Sequence, residues 1–406
     1  MKYLLSIIVC LLLISNMLFS QDDAQWRGKD RNGIYAGTGL LKSWPGEGPK
    51  LLWHYDELGE GYSSASVAYH DRIYTSGTID GKGHIFALSP DGKLLWDTPY
   101  GDEWIENWPG TRSTPMINNG KLYMMSGFGK IVCLSSDKGE LIWSADIIQD
   151  YDGRNIVWGV TENLLIDGNK LFCTIGGTIN NVVALDKDNG KLIWSSAGNG
   201  EISAYCSPLL INLPARKILV TMTEKSILGL EAETGKMLWS HEQINQYAVH
   251  ANTPLFSDGC LYCVSGYGYG GVMLRLSADG GKIEKVWKNS TLDTRMGGVV
   301  LLDGRIYGFG DKIKGLHGLD WETGEEVTFD KFNNKPGAVI SAEGMLYTYD
   351  EGGEVALVEP TLNGYKKISS FKVLYGTAQH WAHPVIDNGR LYVRHGNSLM
   401  VYDIRN

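Results

Sequence analysis

No basic run interrupts this sequence: acidic residues outnumber Lys and Arg by 46 to 37, and the formal net charge is −9. Nucleic acids are gripped by clustered Lys and Arg, so nucleic acid is not an expected partner. Apolar runs are equally scarce. After residue 21 none is long enough to cross a membrane, and no transmembrane segment is expected. Cysteine is sparse too, with six in 406 residues. Setting aside Cys10 leaves Cys133, Cys173, Cys206, Cys260 and Cys263, an odd number that cannot all pair within the chain. Cys260 and Cys263 have CxxC spacing, but Val264 stands where a c-type haem site needs His, so no haem is expected. Both lie in a strand-like run where residues three apart point to opposite faces, as ordinary buried cysteines would. No segment carries a convincing helical period. Period-two alternation around Asp-Gly, Asn-Gly and Thr-Gly turns predicts an all-β chain of hairpins.

The one long apolar run, residues 4–13, follows Lys2 and gives way to small and polar residues up to Ser20 and Gln21. That order is the pattern of a cleaved secretory leader. Residues 1–21 are expected to be a signal peptide, and 22–406 a single domain secreted across the inner membrane, periplasmic or extracellular. No Cys stands at the cleavage point to take a lipid anchor. Without Lys2 the net charge is −10.

An internal repeat governs the rest. Ile85-Phe-Ala-Leu-Ser-Pro-Asp-Gly-Lys-Leu-Leu-Trp96, Val183-Ala-Leu-Asp-Lys-Asp-Asn-Gly-Lys-Leu-Ile-Trp194 and Leu228-Gly-Leu-Glu-Ala-Glu-Thr-Gly-Lys-Met-Leu-Trp239 share one plan: apolar strand, acidic turn with Gly, strand ending in Trp. The closing Trp residues at 53, 96, 143, 194, 239 and 287 are spaced by 43, 47, 51, 45 and 48 residues. A second signature, a turn followed by a strand with an aromatic or apolar residue, recurs at 71–74, 120–123, 168–172, 216–219, 259–262, 304–307, 344–347 and 389–392. Eight units of this period predict an eight-bladed β-propeller of four-stranded antiparallel blades. The chain ends on strands with no Trp strand after them and starts with a lone Trp strand at 51–55. Pairing of the N- and C-terminal segments is expected to close the ring and remove open edges.

These units resemble the pyrroloquinoline quinone (PQQ) repeat of the quinoprotein alcohol dehydrogenase-like superfamily, with Ala184 to Trp194 a near-consensus copy. The resemblance spans nearly all of 22–406 and implies that each Trp packs between adjacent blades. Two kinds of protein share it. Quinoprotein alcohol dehydrogenases would bring PQQ with calcium. The propeller lipoprotein of the outer-membrane barrel assembly machinery carries no cofactor. The segment Gln25-Trp-Arg-Gly-Lys-Asp-Arg-Asn-Gly33 resembles the opening of exported PQQ-like propellers.

Function in a propeller usually sits on a face or in the axial funnel, where the innermost strands begin. Aligned at those starts, Arg112, Tyr205, Arg295, Lys335 and Trp381 fall in one column, Tyr62, His250 and His380 in its neighbour, and Glu162 and His383 in a third. Such unlike polar and aromatic groups aimed at one axis suit a small-molecule site. Trp381 would stack on a planar ring. Arg112, Arg295 and Lys335 would neutralise carboxylates. His250, His383 or Glu162 would serve as general base. The resemblance adds that dehydrogenases of this kind hold a metal by Glu and Asn, which Glu162, Asn163 and Asn252 could imitate. They also use a catalytic Asp and often adjacent cysteines, and neither occurs in the aligned starts. Catalytic residues and metal ligands therefore stay unassigned. Two functions stay open: a funnel site for a small molecule, with quinoprotein-type oxidation of an alcohol or sugar as its enzymatic form, and a non-catalytic periplasmic scaffold that holds an envelope protein partner.

Overall fold

The computed structural model describes residues 23–68, 71–332, 334–362 and 364–406; the leader expected over 1–21 lies outside them. Among the described residues there is no helix, and the strands form eight sheets. The first blade, Ser66–Ala68, Arg72–Ile79, Lys82–Leu88 and Leu94–Asp102, is antiparallel in simple sequence order. The next six repeat that order, which is what tight turns between consecutive strands dictate. Apolar side chains from facing sheets fill the gaps between blades, so the core is divided into clusters around the ring.

The repeat has a direct packing cause. The closing Trp residues at 53, 96, 143, 194 and 287 lie over the turn glycine of the following blade, and these five and Trp239 donate their indole N–H to a carbonyl in or beside that turn. Trp143 donates to Lys187 (2.8 Å), Trp194 to Ala232 (3.1 Å) and Trp239 to Gly280 (3.1 Å). Gly235 holds φ +74°, and a Cβ there would meet Trp194 at 2.4 Å. The acidic-turn glycine thus supplies both the left-handed turn and room for the neighbouring indole.

Closure comes from the pairing expected of the terminal segments. Lys50–Tyr55 is the outermost strand of the eighth blade, antiparallel to Ser398–Asp403 with Lys50 opposite Asp403 and Tyr55 opposite Leu399. Arg394 reinforces the seam between the eighth and first blades. Its fully buried guanidinium donates to Ser63 Oγ (2.6 Å), to Thr75 Oγ1 (3.0 Å) and to the Ser76 carbonyl.

One blade departs from the four-stranded expectation. Ile34–Tyr35 adds a parallel fifth strand to the axial side of the seventh blade, beside Gly337–Ala342. The preceding segment crosses the axis. Ala24 pairs with Ile117, Trp26 donates to Thr253 Oγ1 (3.0 Å), and Arg31 donates to the carbonyls of Asn163 (2.8 Å) and Leu164 (3.0 Å). Arg27 reaches the carbonyl of Val299 (2.6 Å) and His383 Nδ1 (2.9 Å). Two charged residues go into the axis because blade carbonyls at the inner strand ends need donors, and each guanidinium offers five.

Candidate functional site

Above this crossing segment the axis opens into a cavity of about 220 Å³. Two aromatic walls face each other across it. One holds Tyr62, Trp108 and Trp381, with Tyr62 and Trp381 rings 4.9 Å apart. The other holds Trp158, Tyr205 and Tyr267, with Trp158 and Tyr205 rings 6.2 Å apart. Trp26 and His383, 4.5 Å apart, lie against the crossing segment at the bottom. Thr161, Asn163, Ser207, Val249, Ala251 and Met296 complete the lining with Arg112 and Arg295.

Local backbone geometry sets three of these aromatics. Trp108 (φ 52°), Tyr205 (φ 68°) and Tyr267 (φ 62°) hold the left-handed conformation that L side chains disfavour. Each position costs about 1–2 kcal/mol relative to an ordinary backbone.

The charged groups are tied down. Arg112 donates to the carbonyls of Trp158, Asn107 (3.0 Å) and Trp108 (2.8 Å), and so binds together the two loops that carry the wall tryptophans. Burial lowers its pKa. Arg295 pairs with Glu351 (2.8 Å), and Glu351 also accepts the Trp381 indole N–H (3.0 Å). His383 receives a hydrogen bond from Arg27 on Nδ1, because a guanidinium can only donate. Its proton therefore sits on Nε2 and goes to the Met296 carbonyl (2.8 Å). Burial and the Arg27 charge hold it neutral, with a pKa down at about 3. As a general base it has neither a free lone pair nor a useful pKa.

Of the sequence-derived ring, the structure brings Arg112, Tyr205, Arg295, Trp381 and His383 around the cavity, together with Tyr62. It places the others elsewhere. Glu162 points behind the wall while Thr161 and Asn163 face the cavity. Its Oε2 accepts the Thr174 amide (2.8 Å), and burial pushes its pKa up to about 8. His250 is fully buried between Ser265 Oγ (2.5 Å) and the Glu224 carbonyl (3.2 Å), with Val249 and Ala251 facing the cavity instead. At Glu162 the phase is shifted by one residue, which turns the side chain to the other face; at His250 the neighbouring Ala251 keeps the cavity position that Arg112 and Trp381 hold in their blades. Asn252 knits the fifth blade to the sixth through the Thr294 carbonyl and the Gly298 amide. Lys335 is exposed and outside the lining. His380 bonds Tyr349 Oη (2.6 Å) and stacks on His395 at 3.7 Å, beside a smaller neighbouring recess.

Trp26, Trp108, Trp158 and Tyr267 were not on the sequence-derived list. A signal existed: the chain has 13 Trp, of which six close repeats, and Trp108 and Trp158 stand outside the repeat in blade-connecting loops.

The donor set for a quinone-bound metal does not converge. Glu162 faces away, and Asn163 Oδ1 accepts the Thr114 amide (2.6 Å) while Asn252 Oδ1 accepts the Gly298 amide (3.0 Å). Among the described residues no three His, Cys, Asp or Glu gather as ligands.

A family model described as outer membrane protein assembly factor BamB matches residues 81–328, more than half of the chain. A quinoprotein ethanol dehydrogenase of Pseudomonas putida is 25% identical over 159 residues, 39% of this chain and 22% of its own length. The outer membrane protein assembly factor BamB of Burkholderia pseudomallei is 24% identical over 295 residues, 70% of this chain and 69% of its own. The crystal structure of BamB from Moraxella catarrhalis superposes with a TM-score of 0.62 at 15% identity, over 87% of this chain and 99% of that one, which is a likeness of fold.

Proposed function

The chain belongs to the PQQ-repeat propeller family whose model bears the description outer membrane protein assembly factor BamB, and within it we propose a binding propeller that holds a small, flat-faced ligand in its axial cavity. The observation that carries this reading is the strained aromatic wall: Trp108, Tyr205 and Tyr267 keep left-handed backbone while lining one cavity. Strain of this kind persists where surrounding structure enforces it, commonly at ligand clamps. Aromatic walls supply the flat apolar surface that a ring-shaped ligand stacks on.

Binding is favoured over quinoprotein oxidation. The oxygen donors are spent on backbone amides, and His383 is a neutral hydrogen-bond link. At about 220 Å³ the cavity is below the roughly 300–1,000 Å³ of usual ligand pockets, which favours one ring over a tricyclic quinone. The test is to mix purified protein with PQQ and calcium, separate free quinone by gel filtration, and assay dye-linked oxidation of ethanol and glucose. The expected result is no retained quinone and no turnover. Stoichiometric retention with turnover overturns this reading.

A second reading, an envelope protein partner, is supported by exposed Ile105 and Val157, which sit in the loops that carry Trp108 and Trp158. Residues 1–21 support export, periplasmic or beyond.

A further inference from the structure

Resting on the reading of the funnel as a binding site, we propose that its ligand is a carboxylated sugar ring, a hexuronate-type pyranose, free or at the end of an anionic polysaccharide. Charge is the first argument. Among the described residues Arg112 has only carbonyl oxygens as hydrogen-bond partners, which leaves its Nε–H free to donate, and the buried Glu103 carboxyl, outside the cavity lining, acts on it through charge alone. Arg27 lies one layer below, joined to the cavity through His383, and its partners are carbonyls and that neutral ring. Arg31 is buried beside Glu162, and burial keeps that carboxyl protonated at neutral pH, so it does not offset the guanidinium. Arg295 is matched by Glu351 at 2.8 Å and by Asp311 at 4.0 Å. Among the described residues no carboxylate lines the cavity. An anion entering the cavity therefore meets two guanidiniums and no facing carboxylate, an arrangement that favours an anion over a cation despite the aromatic cage.

The neutral groups point to the rest of the ligand. The Trp158 indole N–H, the Tyr267 hydroxyl and the Thr161 hydroxyl line the cavity and make no hydrogen bond within the protein among the described residues. These groups are half-buried and open to solvent, and a purely aromatic carboxylate that covered them would leave them unpaired on binding, which costs affinity. A sugar ring offers hydroxyls to them and apolar faces to the two walls. The cavity volume suits about one ring between the two walls.

The test is intrinsic tryptophan fluorescence and calorimetry on the full chain, with galacturonate, a short oligogalacturonate, galacturonate methyl ester, methyl galactoside and benzoate as probes. The acid is expected to bind at least tenfold more tightly than its methyl ester, and more weakly as salt is raised. The R112Q variant should bring acid and ester to equal affinity, and R112K should recover part of the difference. W381A should weaken both while leaving the melting temperature near that of the parent. If the oligomer binds more tightly than the monomer, the source is a polysaccharide end; the reverse identifies a free sugar acid. Equal affinity for acid and ester, or binding of benzoate or the neutral glycoside alone, overturns the carboxylated sugar and leaves a binding site. If none of the five probes binds, the funnel reading fails with it.

Discussion

Glu162 shows how one side chain, turned away from the cavity by a single step of strand phase, becomes a liability at neutral pH. Its buried carboxyl has one oxygen on the Thr174 amide and the other without a partner. Burial raises its pKa from 4.5 to about 8, so the folded chain holds a proton that the unfolded chain has released. A raised acid pKa gives stability that is full below about 4.5 and is lost as pH climbs to about 8. Buried histidines act with the opposite sign. His250, lowered to about 4, and His383, lowered to about 3, contribute stability above 6.5 that is lost on acidification. Between pH 6.5 and 8 the folded histidines are neutral and the unfolded ones lose only their remaining protons, a smaller effect of opposite sign, so the Glu162 decline still stands out. Over that window it should cost about 2 kcal/mol, at 1.36 kcal/mol per unit. Urea unfolding at pH 6.5 and 8.0 should show this decline, and E162Q, isosteric with the protonated acid, should abolish it. A variant whose stability falls as steeply as the parent's would place the titration elsewhere.

At the scale of the blade, the Trp and the turn glycine act as one element shared by two sheets. W194A should destabilise by about 3–5 kcal/mol, the range for emptying a large buried aromatic site, without selective loss of ligand. G235A should also destabilise, since its φ is +74° and its new methyl would lie 2.4 Å from the Trp194 ring. The two costs should not add, because residues in contact couple. In the W194A background G235A should retain only its backbone strain, about 1–2 kcal/mol; equal cost in both backgrounds would show that the indole does not fix this glycine. This element recurs at a fixed period, and so eight blades and their closure were legible in the sequence. Half of the funnel ring was legible for the same reason: Arg112, Tyr205, Arg295, Trp381 and His383 stand at matching strand starts. Phase failed at Glu162, where the strand start is shifted by one residue and no periodic signal marks the shift, and His250 stands one place before the column that faces the cavity. The crossing segment was opaque for a different reason. Trp26 meets Thr253, and Arg27 meets Val299 and His383, contacts made once and hundreds of residues apart.

The whole ring depends on where its seam lies. In an open array each blade is held by its neighbours, and two end blades are left with an exposed face and edge. Here the seam is inside a blade: Lys50–Tyr55 joins Ser398–Asp403, Trp53 donates to Pro90 of the first blade (3.0 Å), and Arg394 reaches from the eighth blade into the first. The crossing segment is separable from that seam. Residues 24–35 contact the axis and the seventh blade, whereas 50–55 complete the eighth. Two truncations therefore have different outcomes. A chain beginning at Gly39 loses Trp26, Arg27 and Arg31 but keeps the closing strand. It should stay a closed, cooperatively unfolding ring, less stable than the parent, with its axial cavity open at the bottom and ligand binding lost. A chain beginning at Asp56 also loses Lys50–Tyr55. It should leave Ser398–Asp403 as an unpaired edge, and its radius of gyration should rise as the first and eighth blades part. Amide exchange at Ser398–Asp403 should accelerate in the second chain and stay slow in the first. Slow exchange there in both would mean that interblade packing, with Arg394 at its centre, closes the ring without the terminal strand.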